Sequence, residues 1–171
     1  DLDVEAIKKS DLIFLEGYLW DEGNPKEAFE LAINLSNKTA MSLSDKFCVD
    51  RHKSNFLDLV KNKLDLVFAN EAEIMSLIDA KKFDDVILFG KQIKKHLIIT
   101  RGGKGAVSIN NNEIVEIDAK KDLNIVDLTG AGDLFASGYL HGFINNFSQR
   151  ECLEKATEMS SKIIQQIGAR L

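Results

Sequence analysis

Short apolar runs alternate with longer amphipathic ones along almost the whole chain, and this alternation constrains the fold more than any other feature. "DLIFLEG" (11–17) reads as a buried strand and "PKEAFELAINLSNK" (25–38) as a helix with Pro25 near its first position. "TAMSLS" (39–44) is a second strand, "VDRHKSNFLDLVKNK" (49–63) a second helix and "LDLVFAN" (64–70) a third strand. Helical stretches follow at 71–78 and 83–95, then a fourth strand, "HLIITRG" (96–102). "GAVSIN" (105–110) and "EIVEID" (113–118), separated by asparagines at 110–112, read as an antiparallel hairpin. Helices from about Ala131 to Asn145 and from Ser148 to Gln166 finish the pattern. Strands that alternate with helices call for the α/β class: a mostly parallel, Rossmann-like sheet flanked by helices on both faces, here with a small antiparallel hairpin. Ligands of such sheets gather just beyond the carboxyl ends of strands.

Nothing in the sequence divides this pattern. Pro25 is the only proline, there is no Gly/Ser-rich linker or repeat, and 171 residues can bury one good-sized core, so residues 1–171 read as a single α/β segment. The net charge of −5 argues against a nucleic-acid or anionic-membrane binder, because a phosphate backbone is met by clustered Lys and Arg. Cys48, Cys152 and the three histidines are scattered without metal-type spacing. Sparse cysteines, with neither a signal peptide nor an apolar run of transmembrane length, give a cytoplasmic expectation. The opening "DLDVEAIKKSDLIFLEG" lacks an initiator methionine and starts inside a helix, so the expectation is that an N-terminal portion is missing.

Chemistry concentrates in "DLTGAGDLFASGYLHGF" (127–143). A glycine-rich turn entering a helix leaves backbone N–H groups without partners, and the helix dipole adds partial positive charge there. With Gly130, Ala131 and Gly132 the backbone is bare enough for an anion to approach it. Asp133 sits in the first turn. A carboxylate beside a phosphate nest makes electrostatic sense chiefly if it takes a proton, as a base does from the attacking hydroxyl in phosphoryl transfer. The plainer reading is a glycine turn with an acid that complements the dipole.

Two further elements follow strands. Asn70 and Glu73 in "LDLVFANEAE" (64–73) could order magnesium-bound water near a triphosphate, and equally Asn70 is a good N-cap with Glu73 completing a capping box. In "LIITRGGKGAVSIN" (97–110), Thr100, Gly102 and Gly105 form a turn whose amides and hydroxyl can face a phosphate, with Arg101 or Lys104 adding charge; it also reads as an ordinary hairpin turn. No Walker P-loop occurs.

Taken together, these motifs closely resemble the signature of the ribokinase-like (PfkB-type) carbohydrate and nucleoside kinase family. The resemblance covers nearly the whole chain and corresponds to the family's C-terminal half. It implies a ribokinase-like fold and an ATP-dependent phosphotransferase acting on a hydroxymethyl group of a sugar or nucleoside, with ATP and Mg2+ as cofactors and K+ alongside them. It makes Asp133 the catalytic base and the Gly130–Gly132 amides the anion hole. Thr100, Gly102 and Gly105 become nucleotide contacts, and Asn70 and Glu73 the magnesium element, Glu73 acting through water. Asp127 and Thr129 would hold a monovalent cation that "IGAR" (167–170) helps enclose, the alternative being that Asp127 caps or pairs locally. Leu128 departs from the second threonine of many members. "LEGYLWD" and "SDKFCVDRH" (44–52) favour the adenosine-kinase-like branch, and "ATEMSSKII" (156–164) falls where members wall the adenine. The family's lid, through which a homodimer would form, and most acceptor contacts are not in this chain, so the segment alone is expected to be poorly active.

Rival readings are a non-catalytic nucleotide-binding module of the same fold and a dinucleotide enzyme. The intact nest and Asp133 speak against the first. The second needs G-x-G-x-x-G after the first strand, which "LEGYLWDEG" does not supply. His141 reads as a packed or half-exposed helix residue, Tyr18 and Trp20 as core or rim, and Arg51 and His52 as surface helix positions.

Overall fold

The computed structural model describes residues 2–21 and 25–170. Among them lie α1 (Val4–Lys9), β1 (Ile13–Glu16), α2 (Pro25–Leu35), β2 (Thr39–Ser42), α3 (Lys46–Arg51), α4 (Lys53–Asp58), β3 (Leu66–Asn70), α5 (Glu71–Leu77) and α6 (Phe83–Ile93). They continue with β4 (His96–Thr100), β5 (Ala106–Asn110), β6 (Glu113–Ile117), α7 (Ala131–Ile144) and α8 (Gln149–Ile163). The described strands are ordered β1-β2-β3-β4-β5-β6. β1, β2 and β3 pair in parallel, with Ile13 opposite Thr39 and Met41 opposite Val67. From β4 onward the connections are only Arg101–Gly105 and Asn111–Asn112, too short for a crossover, so the sheet ends in two antiparallel pairs. Asn111 adopts φ 55° in the hairpin turn, a conformation asparagine tolerates better than most side chains. The α/β sheet and its hairpin are those the sequence pattern calls for.

The chain forms two compact units. The first runs to Ile99 and includes Ile109–Glu113. Its core is built where sequence and period agree: Met41, Val67, Leu66, Leu97, Ile98 and Ile99 from the strands are buried, with Phe56, Val60, Ile74, Leu77 and Val86 from the helices. Trp20 sets its ring edge-on to Phe29 and Phe56, at centroid distances of 5.0 and 5.9 Å.

The second unit comprises Thr100–Ser108 and the chain from Ile114 onward. Its centre is the packing of α7 on α8. A Cβ on Gly138 would lie 2.8 Å from the Ala156 Cα, and one on Gly142 would lie 3.0 Å from the Cys152 Sγ, so bare backbone lets the helices approach closely. Tyr139 is fully buried and its hydroxyl shares a 2.8 Å hydrogen bond with Ser108, whose carbonyl accepts from Gln149 Nε2.

One helix differs from its sequence reading. The expected single helix over 49–63 starts earlier, at Lys46, because the Asp45 carboxylate accepts the Cys48 amide at 2.6 Å and caps it. It breaks at His52 (φ −114°, ψ 24°), resumes as α4 and ends in a π-helical turn, Leu59–Lys63. At the break His52 is half-buried, its ring centroid 5.9 Å from that of Phe56 and 6.5 Å from that of Trp20, while Arg51 is exposed. His141, by contrast, is exposed, edge-on to Phe147 at 6.1 Å. No described helix is long and apolar enough to cross a membrane.

Candidate active site

The mouth of α7 is bare backbone. Gly130 is its N-cap at φ 77°, a left-handed conformation that glycine adopts without steric cost, and no side chain caps the helix. The Leu134 amide donates to the Gly130 carbonyl at 2.9 Å, the ordinary first helical bond. Of the three amides expected to meet an anion, that of Ala131 donates to the Leu128 carbonyl at 3.1 Å and is engaged in the turn. Those of Gly130 and Gly132, and also that of Asp133, find no acceptor among the described residues. A Cβ on Gly132 would meet nothing within 4 Å, so the mouth opens onto free space. Asp133 is exposed in the same first turn. Orphan donors at the positive end of a 14-residue helix suit an oxyanion, and the adjacent carboxylate suits a proton acceptor.

Behind the mouth, Asp127 ties two segments together. Its Oδ1 accepts from the Thr129 amide at 2.9 Å and the Thr129 hydroxyl at 2.7 Å, while Oδ2 accepts from the Gly168 amide at 3.0 Å. These bonds, the one from Gly168 foremost, hold the Asp127 carboxyl below the usual carboxylate range. The neighbouring Ala169 packs on the nest: a Cβ on Gly130 would lie 2.8 Å from the Ala169 Cβ. The local pairing weighed for Asp127 is therefore realised. A charged carboxylate and the remaining lone pairs of the Thr129 hydroxyl are also the hard oxygen donors a monovalent cation takes, so the residues fit one.

The turn after β4 and the mouth of α7 share a cavity of about 380 Å³, lined by Thr100, Gly102 and Gly105 together with Ala131 and Gly132. Gly105 (φ 90°) is fixed by close approach, since a Cβ there would lie 2.0 Å from the Ile117 carbonyl oxygen. Its own carbonyl accepts the Arg101 amide at 2.8 Å. The walls are apolar, with Ala106, Leu123, Ile125, Leu128, Phe135 and Ile164, while α8 contributes Thr157, Ser160 and Ser161. An apolar cavity of this size with a few convergent polar groups suits a nucleoside-sized ligand. The loop residues Ala119, Lys120, Leu123 and Ile125 were not identified from sequence. Their signal was available: an apolar "LNIV" in a stretch with no regular period, leaving Ile125 62% exposed.

Asn70 and Glu73 belong to the first unit and form a full capping box. Asn70 Oδ1 accepts the Glu73 amide at 2.9 Å, Glu73 Oε2 accepts the Asn70 amide at 2.9 Å, and Asn70 Nδ2 donates to Glu73 Oε1. Glu73 is buried and Asn70 exposed. Burial pushes the Glu73 carboxyl up, against the opposing Asn70 hydrogen bond. With each Glu73 oxygen already accepting a bond, these residues fit a magnesium ion held through water better than one bound directly. Among the described residues no three His, Cys, Asp or Glu converge on a metal position, so the other ligands would be phosphate oxygens and water.

Comparison with known proteins identifies the family. The family model described as pfkB family carbohydrate kinase matches residues 1–171. The cytidine kinase of Thermococcus kodakarensis is 30% identical over 120 residues, covering 68% of this chain and 42% of that protein. The ribokinase of Lactococcus lactis is 25% identical over 165 residues, covering 89% of this chain and 52% of that one. The crystal structure of adenosine kinase from Sinorhizobium meliloti matches with a TM-score of 0.96 at 35% identity, over 100% of this chain and 54% of that chain. The chain thus spans about half the length of the relatives it matches. With the family model matching throughout, the chain belongs to the pfkB family of carbohydrate kinases.

Proposed function

We propose that this chain carries the phosphoryl-donor side of an ATP-dependent kinase that phosphorylates a hydroxymethyl group of a sugar or nucleoside. The observation that carries the reading is the pairing of unpartnered amides at the mouth of α7 with the exposed carboxylate of Asp133. Relatives named cytidine kinase, ribokinase and adenosine kinase support the acceptor class.

In this reading the base and ribose of ATP occupy the cavity, and its phosphates run past Thr100, Gly102 and Gly105 to the nest. The Gly130–Gly132 segment binds the oxygens of the transferred phosphoryl, and a donor of this kind contributes a few kcal/mol to the transition state. Asp133 accepts the proton of the acceptor hydroxyl as its oxygen bonds to the γ-phosphorus and the bond to the ADP oxygen breaks. A positioned base of this kind contributes roughly 10²–10⁴-fold. Magnesium, when bound, neutralises phosphate charge, and Glu73 with Asn70 would hold its water. Asp127 and Thr129 would hold K+ behind the nest, keeping the Thr129–Gly130 backbone in place.

An ADP-release assay against a panel of sugars and nucleosides, run on the protein that carries these residues, tests the proposal. Acceptor-dependent ADP formation is the expected result. ATP binding without turnover on any acceptor would favour the non-catalytic nucleotide module instead.

A further inference from the structure

The cavity walls bear on which nucleoside triphosphate the donor site takes. Among the described residues that line it, none is Asp, Glu, Asn or Gln. Apart from the exposed Lys120, no side chain of the lining therefore reads a base edge in one fixed sense, because a carboxylate only accepts hydrogen bonds and a carboxamide has its donor and acceptor set apart. The polar groups that α8 contributes are three hydroxyls, on Thr157, Ser160 and Ser161. Ser161 is only 6% exposed, and none of the three hydroxyls is hydrogen-bonded to another described residue. In the backbone of the same wall, the Ser160 carbonyl accepts the Ile164 amide at 3.3 Å and the Ser161 carbonyl accepts Gln165 Nε2 at 2.9 Å.

Resting on the donor-site reading above, we infer that this site grips the faces of a nucleobase without selecting its edge, and so accepts guanine as well as adenine triphosphates. The adenine edge presents an amino donor beside a ring acceptor, and the guanine edge presents an oxo acceptor beside a ring N–H donor. A hydroxyl rotates to serve either arrangement. Strong rejection of an analogue arises when it leaves a buried group of the site unpaired. Rotatable hydroxyls are not left so by either base. Ile125, Leu128, Phe135 and Ile164 offer any purine plane the same apolar surface.

Displacement of N-methylanthraniloyl-ATP by ATP and by GTP, with magnesium present, tests this on the unaltered protein. The expected result is dissociation constants for the two nucleotides within about tenfold of each other, the equivalent of about 1.4 kcal/mol. Ser161→Ala should weaken both by a similar factor. GTP weaker than ATP by more than about 100-fold, or a Ser161→Ala loss confined to ATP, would overturn the inference and leave the donor-site reading standing. If neither nucleotide displaces the probe and the probe itself does not bind, both fall together.

Discussion

Asp127 and Gly168 are joined by a 3.0 Å hydrogen bond from the Gly168 amide to the Asp127 carboxylate, across 41 positions of sequence. The same carboxylate holds Thr129, one residue before the glycine that opens α7. The shape of the helix mouth therefore depends on a segment near the end of the described chain. In Asp127→Asn only one oxygen remains to accept, so the Thr129 and Gly168 donors can no longer both be served. Amide hydrogen exchange at Gly168 should accelerate in this variant, and ATP affinity should fall. Asp127 titrates below the usual carboxylate range in the folded chain. Its stabilising contribution is thus present above the ordinary aspartate value of about 4 and lost as pH falls through the lower folded value. Gly168 exchange protection, corrected for intrinsic rate, should drop in that acid window and not between neutral pH and about pH 5.

The two nest glycines should separate stability from binding. Gly130→Ala forces a side chain into a left-handed conformation and against Ala169, where its Cβ would lie 2.8 Å from the neighbouring Cβ. The backbone strain is worth about 1–2 kcal/mol and the overpacking about 1–3 kcal/mol. Adding Ala169→Gly should recover only part of the second term, because the Ala169 Cα remains 3.0 Å from the added Cβ, and none of the first. Gly132→Ala meets open space inside α7, so stability should hold or rise by up to about 1 kcal/mol. Its methyl nevertheless enters the mouth and should weaken phosphate binding. Denaturant unfolding and nucleotide titration of the same variants give the two readouts.

Close packing of α7 on α8 should set the donor KM. Gly138→Ala places a methyl 2.8 Å from the Ala156 Cα, a backbone atom that can yield only if α8 shifts. The expected cost is about 1–3 kcal/mol of stability. Because Ser160 and Ser161 ride on α8 and line the cavity, KM for ATP should rise more than kcat falls. Equal losses in both would place the effect at the chemical step.

His96 should make the chain sensitive to mild acid. It is 8% exposed at the start of β4, and burial lowers its pKa from 6.5 to about 4. The unfolded chain then binds the proton more readily, so stability is full above about pH 6.5 and falls as pH drops towards 4, by roughly 3 kcal/mol in all. Denaturant midpoints measured from pH 7 to pH 4.5 should decline for the parent chain. The decline should be shallower for His96→Leu.

The fold was legible where period and burial coincide. The runs of β2, β3 and β4 are apolar because those strands are buried, and the short Asn-containing link announced the hairpin. The nest was legible because Gly130, Gly132 and Asp133 are adjacent in sequence. What stayed hidden depends on distant partners. The helix break at His52 puts its ring beside Trp20 and Phe56, which no local propensity encodes. The Leu123–Ile125 wall carries no regular period because it follows a cavity and not a helix or strand. The Ala131 amide was expected to be open, and the turn bond to Leu128 that engages it is a matter of backbone conformation. The "IGAR" stretch was picked out as closing around Asp127 and Thr129, but the direct bond from the Gly168 amide to Asp127 and the packing of Ala169 on Gly130 appear only once the chain has folded back.

The central claim is that Asp133 takes the proton of the acceptor hydroxyl beside the nest, and Asp133→Asn tests it most directly, since the carboxamide keeps the shape and loses the basicity. Single-turnover ADP formation on the best acceptor from the panel, with ATP affinity measured in parallel, is the deciding measurement. The expected result is a fall of roughly 10²–10⁴-fold in the rate of the chemical step with ATP binding nearly unchanged. A variant that transfers phosphoryl at close to the parent rate would contradict it.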